Sequence, residues 1–322
     1  MNDVSIGIYG HEPATLVHVK REGDSHRRLG SITLDRLDDL VDIPLPNAEC
    51  MDFEDPEIQK QFIAYRARGR NKPEDRVDIV SVLPSVDTWS MVLMAPSTDG
   101  TDLSEAIYRL IEFEFREQRQ GILEADTWGY CDNTGLGNGD YSEVRVAGLD
   151  RSVLEAHLNR LSDANMGNPS VVTTTHDALA LAMQEKAYVV IPSVVVYREG
   201  DKFSAMVVED RGCFPISEPV TNPCDLRTSV MGLIKSYRES RNYKRDPTTV
   251  YTIGVPDDLG VELKQGRLEV KRLPIRMHNF RTEAEFIAYS AAVIGLSGSG
   301  INLLNRKKPE DEAVLQSGLF KF

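Results

Sequence analysis

The chain has 322 residues, 37 of them Lys or Arg and 50 Asp or Glu, for a formal charge of −13. That balance argues against a nucleic-acid partner, because such binding is driven by counterion release to clustered Lys and Arg. No apolar run approaches the roughly 18–20 residues of a membrane span and residues 1–20 carry no signal-peptide pattern; the four cysteines come no closer than Cys213 and Cys224, 11 positions apart, and read as reduced thiols rather than a zinc or redox set.

The opening is β-rich. Val4–Tyr9, Ala14–Lys20 and Arg27–Leu34 read as strands, separated by the turn residues Gly10-His11-Glu12-Pro13 and Glu22-Gly23-Asp24. Residues 35–57 hold nine carboxylates against Arg36 alone and read as a solvated acidic loop; they contain no glycine to make the tight turn of a calcium loop. Asp55-Pro56, an N-cap followed by proline, predicts a helix to about Arg68. Arg76–Leu83 and Thr88–Met94 read as strands, and Leu103, Ile107, Leu110, Ile111 and Phe115 form the stripe of an amphipathic helix. Strands near Ala125–Cys131 and Glu143–Gly148 flank the glycine run Gly135–Gly139, which reads as a hairpin loop and not a phosphate cradle. Asp150 caps a helix with Leu154, Leu158 and Leu161 on its inner face, followed by a strand at Val171–Thr173 and a helix at His176–Gln184.

The second half repeats the opening. Ser193–Tyr197, Phe203–Glu209 and Cys213–Ser217 make a meander with turns at Glu199-Gly200-Asp201 and Asp210-Arg211-Gly212. From Tyr9 to Gly23 is 14 positions and from Tyr197 to Gly212 is 15, so the two meanders run almost in register. A helix follows on Leu226, Val230, Leu233, Ile234 and Tyr237, then strands at Thr249–Gly254 and Arg267–Lys271, then a nearly all-apolar, buried helix at Thr282–Leu296. This order predicts an α/β protein with a duplicated RNase H-like fold. The first half is residues 1–83 plus about 171–190, an inserted subdomain covers 84–170, the second half 191–300, and a tail 301–322.

Several features take plain readings. Gly295-x-x-Gly298-x-Gly300 follows a helix and not a strand, so it ends the helix. His11, His18 and His26 share no ligand spacing and read as surface or hairpin histidines, and Ser297 and Ser299 lack a nucleophile elbow. Trp89 and Trp128, in neighbouring strands of the insert, are either core or an exposed aromatic anchor on a docking face.

The chain resembles the PilM and GspL cytoplasmic-domain family, actin-like proteins of type IV pilus and type II secretion machines. The resemblance runs from about Val4 to Leu304 and is carried by Ile6-Gly7-Ile8-Tyr9-Gly10, the insert from Val82-Leu83-Pro84 to Trp128-Gly129-Tyr130, Asp177-Ala178-Leu179-Ala180, and Ala291–Leu296 followed by Ile301-Asn302-Leu303-Leu304. It implies an actin-like ATPase fold at the cytoplasmic face of an inner membrane, peripheral or anchored. The implied partners are membrane subunits of the PilN or GspM kind and a motor ATPase, with a homodimer as a further option. In the pilus branch an I-N-L-L peptide of the membrane partner docks into a groove, so Ile301–Leu304 are candidate partner-binding residues, either filling the chain's own groove or leading to an anchor behind Arg306-Lys307-Lys308.

The departures from that family's ATPase relatives decide the expected chemistry. Actin-like ATPases end the first strand on a carboxylate that holds the Mg²⁺ water shell, followed by backbone N–H groups aimed at the phosphates. Here Tyr9 takes the carboxylate's place, Glu12 sets like charge against a triphosphate, and Pro13 has no N–H to offer. Tyr197 and Glu199 occupy the second hairpin, and Val255 puts a Cβ where the adenosine-side turn pairs glycines. The expectation is a non-catalytic scaffold with no cofactor and no metal. An ATP-binding protein with a nucleotide-linked hinge is the rival reading; a sugar or acetate kinase would need a catalytic carboxylate and an intact phosphate turn.

Overall fold

A computed structural model describes residues 3–304, apart from 24, 47–54, 69–76, 97–100, 119–125, 138–140, 185–188, 211, 216–218, 242–245, 264–267, 276–279 and 299. Cys50, Arg211, Ser299 and the tail after Leu304, including its basic triplet, lie outside the described residues.

The first half is a five-stranded sheet built from β1 (Val4–Tyr9), β2 (Ala14–Glu22), β3 (Ser25–Leu34), β4 (Asp78–Leu83) and β8 (Val171–Thr174), in the order β3-β2-β1-β4-β8. β2 runs antiparallel to β1 and β3, while β4 is parallel to β1 and β8 to β4. The second half uses β9 (Ser193–Glu199), β10 (Lys202–Glu209), β11 (Gly212–Pro215), β12 (Thr249–Ile253) and β13 (Glu269–Arg272) in the order β11-β10-β9-β12-β13, with the same directions strand for strand. The duplication is thus one of order and direction.

The inner strands of both sheets are covered on two faces, which is why β1, β9 and β12 are nearly all buried, while the edge strands β3 and β13 are largely exposed or half-buried. On β2, Ala14 and Leu16 face an outer core while Val17 and Val19 face an inner one. The inner core is shared by the halves: α4 (Thr175–Gln184) and α7 (Glu283–Ser297) lie between the sheets, joining Val17 and Val80 to Val195, Tyr197 and Met206. α7 fits because β1 has Gly7, where a Cβ would stand 1.8 Å from the Ala288 carbonyl oxygen. Thr282 caps α7 by accepting from the Glu285 N–H at 3.1 Å, and Gly298, at φ 66°, ends it in the left-handed region. Outside, α1 (Pro56–Ala67) covers the first sheet, and α5 (Pro223–Ser240) and α6 (Asp257–Leu263) the second.

The insert stands between β4 and β8. β5 (Trp89–Pro96), β6 (Asp126–Gly137) and β7 (Tyr141–Asp150) form an antiparallel sheet in the order β5-β7-β6, covered by α2 (Thr101–Gln118), and α3 (Arg151–Asp163) leads back to the first half. No described helix is long and apolar enough to cross a membrane.

Three local expectations are corrected. Part of the acidic stretch is not loop: Leu37–Asp42 is a 3₁₀ helix that buries Leu37, Leu40 and then Ile43, spaced three apart as its period demands. Arg68 holds it by donating to the carbonyls of Leu40, Val41 and Ile43. The glycine run is partly strand, since β6 continues to Gly137, which pairs with Ser142. The second-half hairpin turns at Gly200-Asp201 alone, leaving Tyr197 and Glu199 inside β9 because both side chains are buried.

Candidate functional site

Between the halves, side chains from one lobe converge on a single carboxylate of the other. Glu199, 6% exposed at the end of β9, accepts at Oε2 from the Ser85 backbone N–H at 2.9 Å and from the Ser85 hydroxyl. Its Oε1 accepts from the Thr175 hydroxyl at the start of α4 and from the Tyr9 phenol at 3.5 Å. Ser85 Oγ in turn lies 2.8 Å from Ser204 Oγ on β10. Burial pushes the Glu199 carboxyl up from its ordinary range, with the hydrogen bonds of Ser85 and Thr175 opposing. The Tyr9 phenol is pushed up as well, by burial first and then by Glu199. This knot closes the end of β1 with an acceptor whose donors are already supplied.

The other positions expected to be altered are dispersed. Tyr197 is core, packed edge-on against His176, and not a turn residue. Val255 is buried in the second half's outer core, and Glu12 and Pro13 are exposed in the first hairpin loop.

Two arginines, Arg145 buried and Arg241 partly buried, brace the insert. Arg145 on β7 is paired with Asp177 of α4 and donates to Cys213 Sγ at 3.4 Å. Burial works against the Arg145 charge, but Asp177 and Cys213 outweigh it and push its pKa up, while burial pushes the Cys213 thiol up to about 12. Arg241, at the end of α5, clamps two carboxylates. Its Nε and Nη2 donate to Glu209 at 2.7 and 2.6 Å, and its Nη1 and Nη2 donate to Glu143 of the insert at 2.5 and 2.8 Å. Such fork-to-carboxylate pairs are directional as well as strong.

Of the three histidines, His18 departs from a surface position, being buried in β2; His11 lies half-buried in the first hairpin loop and joins a relay in which its Nε2 lies 2.9 Å from His157 Nδ1, and His157 Nε2 lies 2.7 Å from the buried Ser81 Oγ. His157 is pushed down to about 3 by burial, then by His11 and Arg160, so the relay is neutral at pH 7 and ties the first hairpin loop to α3 and β4.

A groove between the insert and the first half holds the I-N-L-L segment of the chain itself. Ile301 and Leu303 are buried with Leu83, Leu149, Leu154 and Val172. The Leu303 N–H donates to the Val172 carbonyl at 2.8 Å, and Asn302 Oδ1 accepts from the N–H groups of Val172 and Leu304 at 3.2 and 3.1 Å. Asn302 Nδ2 donates to the Ser170 carbonyl at 3.2 Å, and Thr127 to the Leu303 carbonyl at 3.3 Å. Gly129 admits the segment, since a Cβ there would stand 2.5 Å from the Asn302 carbonyl oxygen. Of the six expected docking residues, then, four share one groove. Trp89 and Trp128 do not offer an exposed anchor: at 6% and 2% exposed they pack with Ile107 and Ile111 as the insert's core, Trp128 stacked on Tyr108.

Glu199→Ala strands the Ser85 and Thr175 donors and is expected to cost about 3 kcal/mol. Glu199→Gln keeps an acceptor for Ser85 and removes the buried charge. A raised carboxyl loses stability as pH rises through its titration, so the Gln variant is expected to gain on the parent between pH 5 and 7.5 in thermal melts.

Two lobes with sheets of identical order and direction, a cleft between them and an insert in the first constitute the duplicated RNase H-like, actin-like ATPase fold. No protein-family model matches the chain, and no curated protein does. Among solved structures the chain is similar to a PilM–PilN type IV pilus biogenesis complex, with TM-score 0.52 and 15% identity over 91% of this chain and 98% of that one. It also matches the cytoplasmic domain of EpsL, an inner-membrane component of the type II secretion system of Vibrio cholerae, at TM-score 0.47 and 11% identity over 94% and 97%. A Bacteroides thetaiotaomicron protein with an actin-like ATPase fold matches at 0.47 and 11% over 89% and 95%. These likenesses are of fold.

Proposed function

We propose that the chain is a non-catalytic actin-like scaffold at the cytoplasmic face of a bacterial inner membrane, in a type IV pilus or type II secretion assembly platform. Its work is association: a membrane subunit of the PilN or GspM kind on one side and a motor ATPase on the other. The observation that carries this reading is the Glu199 knot, which fills the cleft with a hydrogen-bonded carboxylate drawing on both lobes. The Arg241–Glu143 pair supports it further: Arg241 belongs to the second half and Glu143 to the insert of the first, so hinge motion between the lobes would have to break that ion pair, along with the Arg145 hydrogen bond to Cys213. Breaking such a pair leaves an uncompensated buried charge, so the cleft favours one geometry over a nucleotide-driven pair of geometries.

Calorimetric titration with ATP·Mg²⁺, run beside a thermal-shift assay, tests the reading. No heat and no shift up to about 1 mM nucleotide are expected; an affinity near 1 μM, about −8 kcal/mol, overturns it in favour of a nucleotide-binding protein.

A further inference from the structure

We propose that the cavity between α1 and the β2–β3 hairpin is a binding site for a phosphate-bearing anion. It lies at the opposite end of β1 from Tyr9, about 17 Å along the strand, and is independent of the scaffold reading.

The cavity is about 580 Å³ and is lined by Lys20, Arg27, Arg28, Arg66 and His18, with no carboxylate among its described lining residues, on a chain of net charge −13. Lys20 and Arg27 stand directly opposite each other on β2 and β3. Like charges at such cross-strand positions are destabilising, so the pair costs stability until an anion lies between them. Their neighbourhood offers little relief. Arg27 meets Glu22 at 3.4 Å with both groups well exposed, where an ion pair is worth little, and Arg28 is turned to Glu285 at 3.3 Å.

Arg66, across the cavity on α1, is positioned by two groups. Its guanidinium lies 4.5 Å over the Phe62 ring, and its Nη1 is 3.4 Å from His18 Nε2. Burial, then Arg66, pushes His18 down to about 3, so the imidazole stays neutral and accepts from the guanidinium without repelling it. A guanidinium presents a planar fork of N–H donors, the geometry that engages phosphate oxygens bidentately. The floor is open because β3 has Gly30, where a Cβ would stand 3.2 Å from Gln59 Oε1 and Ile63 Cδ1. Planar fork, point-charge lysine and second arginine around one cavity match a phosphate mono- or diester. The same chemistry is presented by a soluble phosphate ester and by an anionic phospholipid headgroup.

The experiment titrates pyrophosphate into the full chain by calorimetry. In parallel the chain is co-sedimented with phosphatidylglycerol–phosphatidylcholine vesicles and with phosphatidylcholine vesicles alone. Lys20→Gln/Arg27→Gln, at solvent-facing positions, and Arg66→Gln serve as variants, with circular dichroism confirming their fold. Pyrophosphate binding that weakens at least about tenfold in the variants (about 1.4 kcal/mol) and declines with salt assigns a soluble phosphate ester. Binding to the anionic vesicles alone, lost in the variants, assigns a headgroup. Absence of both, or binding that the variants leave unchanged, overturns the proposal.

Discussion

Acidification from pH 7.5 to 5.5 is expected to lower the stability of this protein by about 4 kcal/mol and its melting temperature by roughly 6 °C. Three buried histidines drive the loss. His18 and His157 are pushed down to about 3 and His176 to about 4, each by burial first. In the unfolded chain all three titrate near 6.5, so below that pH the unfolded state takes up protons that the folded state refuses. Stability is therefore full above about pH 6.5 and falls as pH drops toward the folded values, by about 1.4 kcal/mol per histidine at pH 5.5. Glu199 works in the other sense, gaining stability as its carboxyl protonates, but it is one group against three. His176→Phe isolates the effect. Both ring nitrogens of His176 are buried without a hydrogen-bond partner, and the ring already packs edge-on against Tyr197. The phenylalanine variant is expected to match or exceed the parent at pH 7.5 and to lose about a third less on acidification. An unaltered pH dependence would show that His176 is charged in the folded protein.

These histidines also mark where the sequence stops being legible. One-sided helices follow from the 3.6 repeat that burial on one face imposes, and the doubly buried strands and α7 follow from short apolar runs bounded by turn and cap residues. The outcome at Asp55, Asp150 and Gly298 follows from cap chemistry that needs no tertiary partner. Polar groups inside the core carry no such local signal. His157 stands three residues after Leu154 and four before Leu161, on the buried stripe of α3, yet its polarity argues for the surface until Ser81 and His11 are placed beside it. Glu199 has the strand parity of Val195 and Tyr197, which point to the inner core, but the adjacent Gly200-Asp201 turn makes it look like a loop residue. Arg145 and Glu143 are hidden likewise in β7, where their pairing with Asp177 and Arg241 depends on contacts 32 and 98 positions away. The cleft knot and the braces are long-range objects, invisible to any pattern read along the chain.

Leu303→Asp is expected to expel the I-N-L-L segment from its groove and to destabilise the protein by more than the about 2–4 kcal/mol that Leu303→Ala costs through lost burial. Leu303 is 0% exposed among Leu149, Leu154 and Val172, so a carboxylate there is desolvated with no partner. Expulsion also removes the Asn302 bonds to Val172 and Ser170 and leaves the Val172 N–H and carbonyl unpaired. The contrast between parent and variant then reports on the groove itself. In the parent the segment is tethered, and an intramolecular ligand held at an effective concentration in the millimolar range excludes a free copy. A synthetic peptide of residues 299–306 is therefore expected to raise the melting temperature of the Leu303→Asp protein and to leave the parent unchanged. Asn302→Ala separates packing from hydrogen bonding: it keeps Ile301 and Leu303 but strips the amide bonds, and is expected to cost about 1–2 kcal/mol without opening the groove to the peptide. A peptide that stabilises neither protein, with Leu303→Asp as stable as the parent, would mean that the segment only lies along the surface and that no ligand-shaped groove is present.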